Sequence, residues 1–346
     1  MTQPLHAHSR TSSKCDRVRG ALLGLLIGDA IAMPVHWYYN RAALQADYGT
    51  VRDFMEPRPV HPDSIFWRSR WEAPSPELDI LGDHRRFWGH RGVHYHQNLH
   101  AGENTLTAKL ATEVWESLHQ CGGYDRDDYL KRYLELLTHP ERHRDTYIEE
   151  CHRGFFTNLG HGRKPERCAV VEKHISGLVT MLPVALYYAE NENEGRARAI
   201  EHLEATHAGK KMRIAAEAVL SILYPVLRGV SLAEAIREQC AMQRNPHFGF
   251  PFLKWVEEPD ERIIGNRLST ACYVEDSVPA VIYLVLKYGD RPEQGLIANT
   301  NLGGDNVHRG GVIGALLGAQ NGASALPQRW VDRLLVSPEI KYGTIH

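Results

Sequence analysis

One stretch of the chain decides its fold: Ala298-Asn299-Thr300-Asn301-Leu302-Gly303-Gly304-Asp305-Asn306-Val307-His308, followed by a run of small residues from 309 to 322. The Gly-Gly pair allows a sharp turn, which brings the carboxylate of Asp305 to the mouth of a pocket. The small residues predict a helix that packs closely against another helix and directs its free N-terminal N–H groups at whatever the preceding loop holds. Taken alone, Gly-Gly-Asp is as consistent with a simple tight turn.

The composition is that of a globular enzyme. Of the 346 residues 43% are hydrophobic and 24% are charged, and the formal net charge of −2 predicts no general attraction to nucleic acid or anionic membranes. The six cysteines are scattered without a CxxC pair, which favours reduced thiols and a cytoplasmic location. No apolar run is expected to reach the ~20 residues that span a bilayer. We therefore expect a small-molecule substrate, and neither a nucleic acid nor a membrane, as the partner; the oligomeric state is not predictable.

Helical periodicity dominates the chain, and alternating strand patterns are almost absent. The first helix is predicted to be capped by Asp16 and to end before Pro34. Two irregular insertions, at 37–103 and 244–272, interrupt the helical pattern, and no linker divides it. The sequence predicts a disordered tail over 1–14 and one all-α domain over 15–346.

Four segments, in order, resemble the ADP-ribosylglycohydrolase family, which includes the dinitrogenase reductase activating glycohydrolases. They begin with Gly20-Ala21-Leu22-Leu23-Gly24-Leu25-Leu26-Ile27-Gly28-Asp29-Ala30 and continue with Gly102-Glu103-Asn104-Thr105-Leu106-Thr107-Ala108-Lys109-Leu110-Ala111. The others are Thr206-His207, before an Ala-rich helix, and the segment from Asn301 to Gly322. The resemblance implies an all-α orthogonal helix bundle with long irregular insertions, and a cleft where the first helix meets the two metal-binding segments.

The chain departs from the family at its metal ligands. Active members hold two Mg²⁺ ions with carboxylates and a threonine, and hard dications need such oxygen ligands. Here Leu106 and Thr107 stand at two aspartate positions, Val307 at a third, and His308 at a threonine position. His36 stands where an acidic residue often follows the first helix. The resemblance thus implies two Mg²⁺ ions whose ligands are mostly missing, and we expect no metal and no other cofactor.

A reshaped pocket is the favoured interpretation of these replacements. Asp305 and Glu103 are predicted as catalytic carboxylates that divide acid and base roles, and His96 as a proton carrier. Residues predicted to bind the substrate are His36, Trp37, His94, Gly102, Asn104, Thr105, Thr107, Asn306 and His308. As an alternative, the spacing His94-x-His96-x3-His100 could ligate zinc or iron.

Three functions remain open. The first is a hydrolase that cleaves an N-glycosidic or other C–N bond of a small polar or nucleoside-like substrate without the two-magnesium site. A second is a non-catalytic member that binds ADP-ribose or another nucleotide, or serves a structural role. The third is a Mg²⁺-dependent hydrolase of ADP-ribosylated protein, against which the missing aspartates count.

Overall fold

The computed structural model describes residues 13–343 and confirms the all-α fold. Its α-helices are α1 Lys14–Ala32, α2 Arg41–Tyr48, α3 Leu106–Cys121, α4 Arg126–Leu137, α5 Pro140–His143, α6 Glu150–Gly160, α7 Ser176–Tyr187, α8 Glu192–Thr206, α9 Lys210–Leu227, α10 Leu232–Met242, α11 Phe252–Trp255, α12 Asp260–Ile263, α13 Val274–Tyr288, α14 Pro292–Leu302, α15 Asn306–Asn321, α16 Gln328–Arg333 and α17 Pro338–Tyr342. The strands within 13–343 are β1 Val170–Val171 and β2 His207–Ala208, which pair in parallel.

The centre of the fold is the antiparallel contact of α1 with α15. Glycines spaced four residues apart face each other in three pairs, which are Gly20 with Gly318, Gly24 with Gly314, and Gly28 with Gly310. A Cβ on Gly24 would lie 2.1 Å from the carbonyl oxygen of Gly314, and one on Gly314 would lie 1.9 Å from that of Gly24. The two backbones therefore touch, and the helix ends near Asp29 and Asp305 are brought to the same place.

The beginning of α1 differs from the prediction. Ser13 is the N-cap, because its Oγ accepts the backbone N–H of Asp16, whereas an Asp16 oxygen accepts the N–H of Ala323. The predicted disordered tail lies outside the described residues, apart from Ser13 and Lys14.

The expectation about apolar runs was wrong: the segment Lys14–Val35 is long and apolar enough to cross a membrane, although 94% of its most apolar stretch is buried in the protein. Burial against α15 accounts for this hydropathy.

The irregular insertions contain more structure than the sequence indicated. The first holds α2, which Asn40 caps by accepting the N–H groups of Ala42 and Ala43. Short helices α11 and α12 lie in the second. These helices are four to eight residues long, so periodicity is a weak signal for them.

Candidate functional site

The carboxylate of Asp29 ties the end of α1 to the start of α3. One oxygen accepts the backbone N–H of Thr105 at 2.8 Å, and the other accepts the Thr105 hydroxyl at 2.6 Å. The Asn104 amide also donates to Asp29 and to the carbonyl of Leu26. Burial raises the pKa of Asp29, and these hydrogen bonds oppose that rise. Asp29, Asn104 and Thr105 therefore fix where α3 begins.

The Gly-Gly turn pairs with the chain that follows α1. Trp37 donates its N–H to the Gly304 carbonyl at 2.8 Å, and Gly304 donates to the Tyr38 carbonyl at 2.7 Å. Gly304 has φ of +64°, and a Cβ there would lie 2.1 Å from the Thr270 carbonyl oxygen, so only glycine fits. Trp37 itself has φ of +60°, a conformation that is rare for a bulky residue. This pairing sets His36 beside Asp305.

Asp305 lies at the centre of a buried polar cluster. Its Oδ1 is 2.8 Å from Nε2 of His36 and 2.8 Å from Nδ1 of His308. Burial lowers the pKa of His36 to about 3. Burial also disfavours the charged form of His308, but the carboxylates of Asp305 and Glu149 outweigh it and raise its pKa to about 9. The pKa of Asp305 lies well below its ordinary value despite burial, because the two imidazoles stabilise its charge.

One arm of the cluster runs from His36 to α3. Nδ1 of His36 is 2.7 Å from Nε2 of His96, and Nδ1 of His96 is 2.6 Å from Asp145. Asp145 also accepts the backbone N–H of Leu106, in the first turn of α3, at 2.8 Å. Burial would raise the pKa of Asp145, but His96 and this N–H lower it to about 2. Asp145 is thus an ionised anchor for His96.

The other arm runs from His308 toward solvent. Nε2 of His308 is 3.2 Å from the Thr107 hydroxyl and 3.5 Å from Glu149. The Thr107 hydroxyl donates to Glu149 at 3.0 Å. The Glu149 side chain is partly exposed, so this arm ends at a carboxylate that solvent and ligands can reach.

Two cavities meet at this carboxylate. The inner cavity holds about 10 Å³ of free space beside the rings of His36 and His308. The outer cavity, of about 340 Å³, is lined by Trp37, Tyr39, Ile65, Arg68, Tyr95, Tyr147, Glu149, Glu150, His174, Cys272 and Tyr273. Trp37, Tyr147 and Glu149 line both. A larger groove of about 750 Å³ shares Glu150 and His174 with the outer cavity but contains no residue of the polar cluster.

The structure brings together six of the residues predicted for the site. His36, His96, Asp305, His308 and Thr107 form the cluster, and the Trp37 ring stacks on His36 with centroids 3.9 Å apart.

Other predicted residues have partners outside the cluster. Glu103 forms ion pairs with Lys109 and Arg144, and its carboxylate also accepts the N–H of His100. The backbone of Gly102, with φ of +86°, packs against the Arg333 carbonyl. These contacts give Glu103 and Gly102 structural partners.

Asn306 and His94, which were also predicted to bind the substrate, form hydrogen bonds with the backbone instead. Asn306 donates to the carbonyls of Thr300 and Val35. His94 bonds the Pro34 carbonyl through Nε2 and accepts the His96 N–H at Nδ1. His100 is exposed beside Glu56, so His94, His96 and His100 do not face one point. The alternative of a metal on these three histidines is not supported by their geometry.

Sequence reasoning missed Asp145, Tyr147 and Glu149. They lie between α5 and α6, just before the first residue of α6. The acidic residues around that start were the one available signal, and no spacing motif marks them.

Two positions at which the resemblance implies carboxylate ligands of Mg²⁺ carry buried apolar side chains. Leu106 lies in the main hydrophobic core, and Val307 packs in a small apolar cluster with Ala32, Met33 and Leu99. Neither side chain offers an oxygen, and the Thr107 hydroxyl is engaged by Glu149.

Comparison with known proteins agrees with this architecture. The sequence profile of the ADP-ribosylglycohydrolase family matches residues 10–342, so the chain belongs to that family. An uncharacterized protein of Archaeoglobus fulgidus is 24% identical over 323 residues, which cover 92% of each chain. A solved structure described as an ADP-ribosylglycohydrolase-related protein complex has a TM-score of 0.66 at 22% identity, covering 96% of this chain and 97% of the other. The family suggests glycohydrolase activity on ADP-ribose-type substrates.

Proposed function

We propose that this protein is a hydrolase that cleaves an N-glycosidic or other C–N bond of a small polar or nucleoside-like molecule, without the family's two-magnesium cage. One observation carries the proposal: a buried network of ionised and neutral polar groups ends at Glu149, on the wall of a cavity of about 340 Å³. Convergent polar groups beside a partly apolar cavity of this size are typical of small-molecule sites.

The lining of the outer cavity suits a nucleoside-like ligand. Aromatic rings of Trp37, Tyr147 and Tyr273 can stack a planar heterocycle. Arg68 adds a cation for a phosphate or carboxylate group.

Glu149 takes the catalytic role that the sequence suggested for Glu103. Cleavage of an N-glycosidic bond needs a base that activates water and a negative charge that stabilises an oxocarbenium-like centre. Glu149 faces the cavity and takes a proton from the attacking water, whose oxygen bonds the anomeric carbon as the C–N bond breaks, and this proton passes to the leaving nitrogen. Asp305 supplies buried charge and orients His36 and His308. His96, held by Asp145, orients His36 in turn.

The test is a hydrolysis panel with the full chain. Substrates are ADP-ribosyl-arginine, purine and pyrimidine nucleosides and N-ribosyl amides, and the readout is release of reducing sugar together with the free amine or base. We expect turnover of at least one substrate without added Mg²⁺, and a fall of about 10²-fold or more in kcat for Glu149→Gln. The matched control is Glu141→Gln, an exposed carboxylate in α5.

Two outcomes contradict the proposal. Thermal stabilisation by ADP-ribose with no turnover of any substrate would favour the non-catalytic alternative. Turnover only with added Mg²⁺ would favour the ordinary two-magnesium reaction.

A further inference from the structure

We propose that His36, Asp305 and His308 form a mononuclear site for a divalent first-row transition metal, Zn²⁺ or Fe²⁺. The ligand atoms Nε2 of His36, a carboxylate oxygen of Asp305 and a ring nitrogen of His308 all lie within 4.8 Å of one another, and the three residues are buried. The site uses residues of the cluster that the proposed function places behind Glu149, but its test measures metal binding and does not depend on that function. It also replaces the expectation, drawn from the sequence, of a pocket that binds no metal.

The hydrogen-bond partners of His36 turn its Nε2 toward Asp305. Ionised Asp145 accepts the Nδ1–H of His96, which leaves Nε2 of His96 to accept a hydrogen bond. That nitrogen accepts the Nδ1–H of His36 at 2.7 Å. In this arrangement, assigned from the network, the His36 ring keeps its Nδ1–H, and a metal takes the place of the proton that otherwise joins Nε2 of His36 to Oδ1 of Asp305.

The hydrogen-bond partners of His308 likewise turn its Nδ1 toward Asp305. Because the Thr107 hydroxyl donates to Glu149, its oxygen accepts the Nε2–H of His308. Nδ1 of His308 lies 2.8 Å from Oδ1 of Asp305, and a metal bound there takes the place of the proton that otherwise joins these two atoms. The second oxygen of Asp305, Oδ2, is buried and also has no hydrogen-bond partner.

A cation bound among these atoms would give the buried Oδ2 of Asp305 a partner. Buried polar atoms without partners are rare in folded proteins, and a bound ion is one of their ordinary explanations. A network in which each ligating histidine bonds an outer carboxylate, directly or through one group, is also the usual second shell of a metal site. Here that shell is Asp145 through His96 for His36, and Glu149 through Thr107 for His308.

The charge around the three ligands favours a dication. Asp29, Asp145 and Glu149 surround the cluster in addition to Asp305, whereas Arg309 is a buried guanidinium nearby. Arg309 is held by Asn299 and the carbonyl of Gly303 rather than by a carboxylate. Carboxylates therefore outnumber cations among these groups.

The donor set selects the metal. Two imidazoles and one carboxylate suit Zn²⁺ and Fe²⁺ and leave coordination positions open, whereas Mg²⁺ prefers a full set of oxygens. The inner cavity beside the two rings has about 10 Å³ of free space, roughly the volume that one water needs. Such a water would lie close to Glu149, which lines the same cavity.

The test measures metal, not activity. Full-length protein is analysed for metal as isolated, then stripped with a chelator and titrated calorimetrically with ZnCl2, with FeCl2 under anaerobic conditions, and with MgCl2. We expect about one Zn²⁺ or Fe²⁺ per chain, and no saturable Mg²⁺ binding. Co²⁺ should give the visible d–d bands of a nitrogen-ligated site.

Variants separate the ligands from the scaffold. Asp305→Asn and His308→Gln should lose stoichiometric Zn²⁺ binding, and His96→Gln should weaken it by about 10- to 100-fold, as expected for a positioning residue behind a ligand. His202→Gln is the matched control, because His202 is fully buried but lies between Tyr124 and Tyr129, away from the cluster. Circular dichroism confirms that each variant is folded.

The proposal is overturned if stripped, folded wild-type protein binds neither ion saturably. It is overturned equally if Asp305→Asn and His308→Gln bind as tightly as His202→Gln. Loss of hydrolysis with metal binding intact would count only against the proposed function, so failure of either proposal can be recognised separately.

Discussion

His36 and Asp305 are 269 positions apart in the sequence, yet Nε2 of His36 lies 2.8 Å from the carboxylate of Asp305. The contact depends on the antiparallel pairing of α1 with α15, which places the residues after one helix beside the residues before the other. Hydrogen bonds between Trp37, Tyr38 and Gly304 then fix the separation. The site is therefore as rigid as the central helix pair.

A first prediction concerns that helix pair. Gly314→Ala should lower the free energy of unfolding by about 1–3 kcal/mol or more, since its Cβ would lie 1.9 Å from the Gly24 carbonyl oxygen and the backbones must separate. Denaturant unfolding measures the change. Gly311→Ala in the same helix is the control, because its Cβ would lie 3.3 Å and 3.4 Å from the Val179 methyl groups and 3.8 Å from the nearest backbone atom of a neighbouring helix, the Leu25 carbonyl oxygen. Equal losses for the two variants would mean that close backbone packing does not stabilise the fold.

A second prediction concerns pH. Burial opposes the charged forms of both Glu172 and His174, but their 2.6 Å ion pair lowers the pKa of Glu172 to about 2. A hydrogen bond that the His174 ring donates to the sulfur of Cys272, together with the ion pair to Glu172, raises the pKa of His174 to about 11. The lowered carboxyl pKa contributes stability above the ordinary value of 4.5, which is lost as the pH falls toward 2. The raised imidazole pKa contributes stability below 6.5, which is lost as the pH rises toward 11.

The difference in unfolding free energy between wild type and His174→Gln should therefore be largest between pH 4.5 and 6.5 and should decline on both sides. Denaturant unfolding of both proteins across pH gives this difference. A difference that does not vary with pH would show that the ion pair contributes nothing.

A third prediction concerns magnesium. Millimolar Mg²⁺ should change neither the melting temperature nor the turnover of chelator-treated protein, because Leu106 and Val307 bury apolar side chains where the family has carboxylates. Thermal unfolding with and without Mg²⁺ tests this, with Ca²⁺ as a control for ionic strength. A melting temperature that rises specifically with Mg²⁺ would restore the family's metal site.

The sequence predicted the helical fold because two features are local: apolar residues recur at helical spacing, and glycines recur every fourth residue in α1 and α15. It also indicated His36, Asp305 and His308, since each stands at a functional position of a family motif. Asp145 and Glu149 could not be found in this way. Their role depends on where the chain from α5 to α6 passes over α3, which no local pattern encodes.

Glu103 is a residue that the sequence indicated for the site but that has ion-pair partners outside the polar cluster. Its place beside the altered metal segment suggested a catalytic carboxylate, but its charge is met by Lys109 and by Arg144, 41 positions away. Glu149, and not Glu103, faces the cavity, although Glu103 is the one that lies next to the motif in the sequence.

A fourth prediction concerns the outer cavity. Tyr273→Ala should raise KM for the substrate by roughly 2- to 10-fold with little change in kcat, because a stacked aromatic pair is worth about 0.5–1.5 kcal/mol. Steady-state kinetics separates the two constants. Tyr342→Ala, an exposed tyrosine in α17, is the control. An unchanged KM would place the planar part of the substrate elsewhere.

The most direct test of the account is the turnover of Asp305→Asn on the substrate that the hydrolysis panel identifies. Asparagine keeps the shape of the side chain and removes the charge that holds His36 and His308. We predict a loss of about 10²-fold or more in kcat with an unchanged circular dichroism spectrum. Turnover equal to wild type would contradict the claim that this buried cluster is the reaction centre.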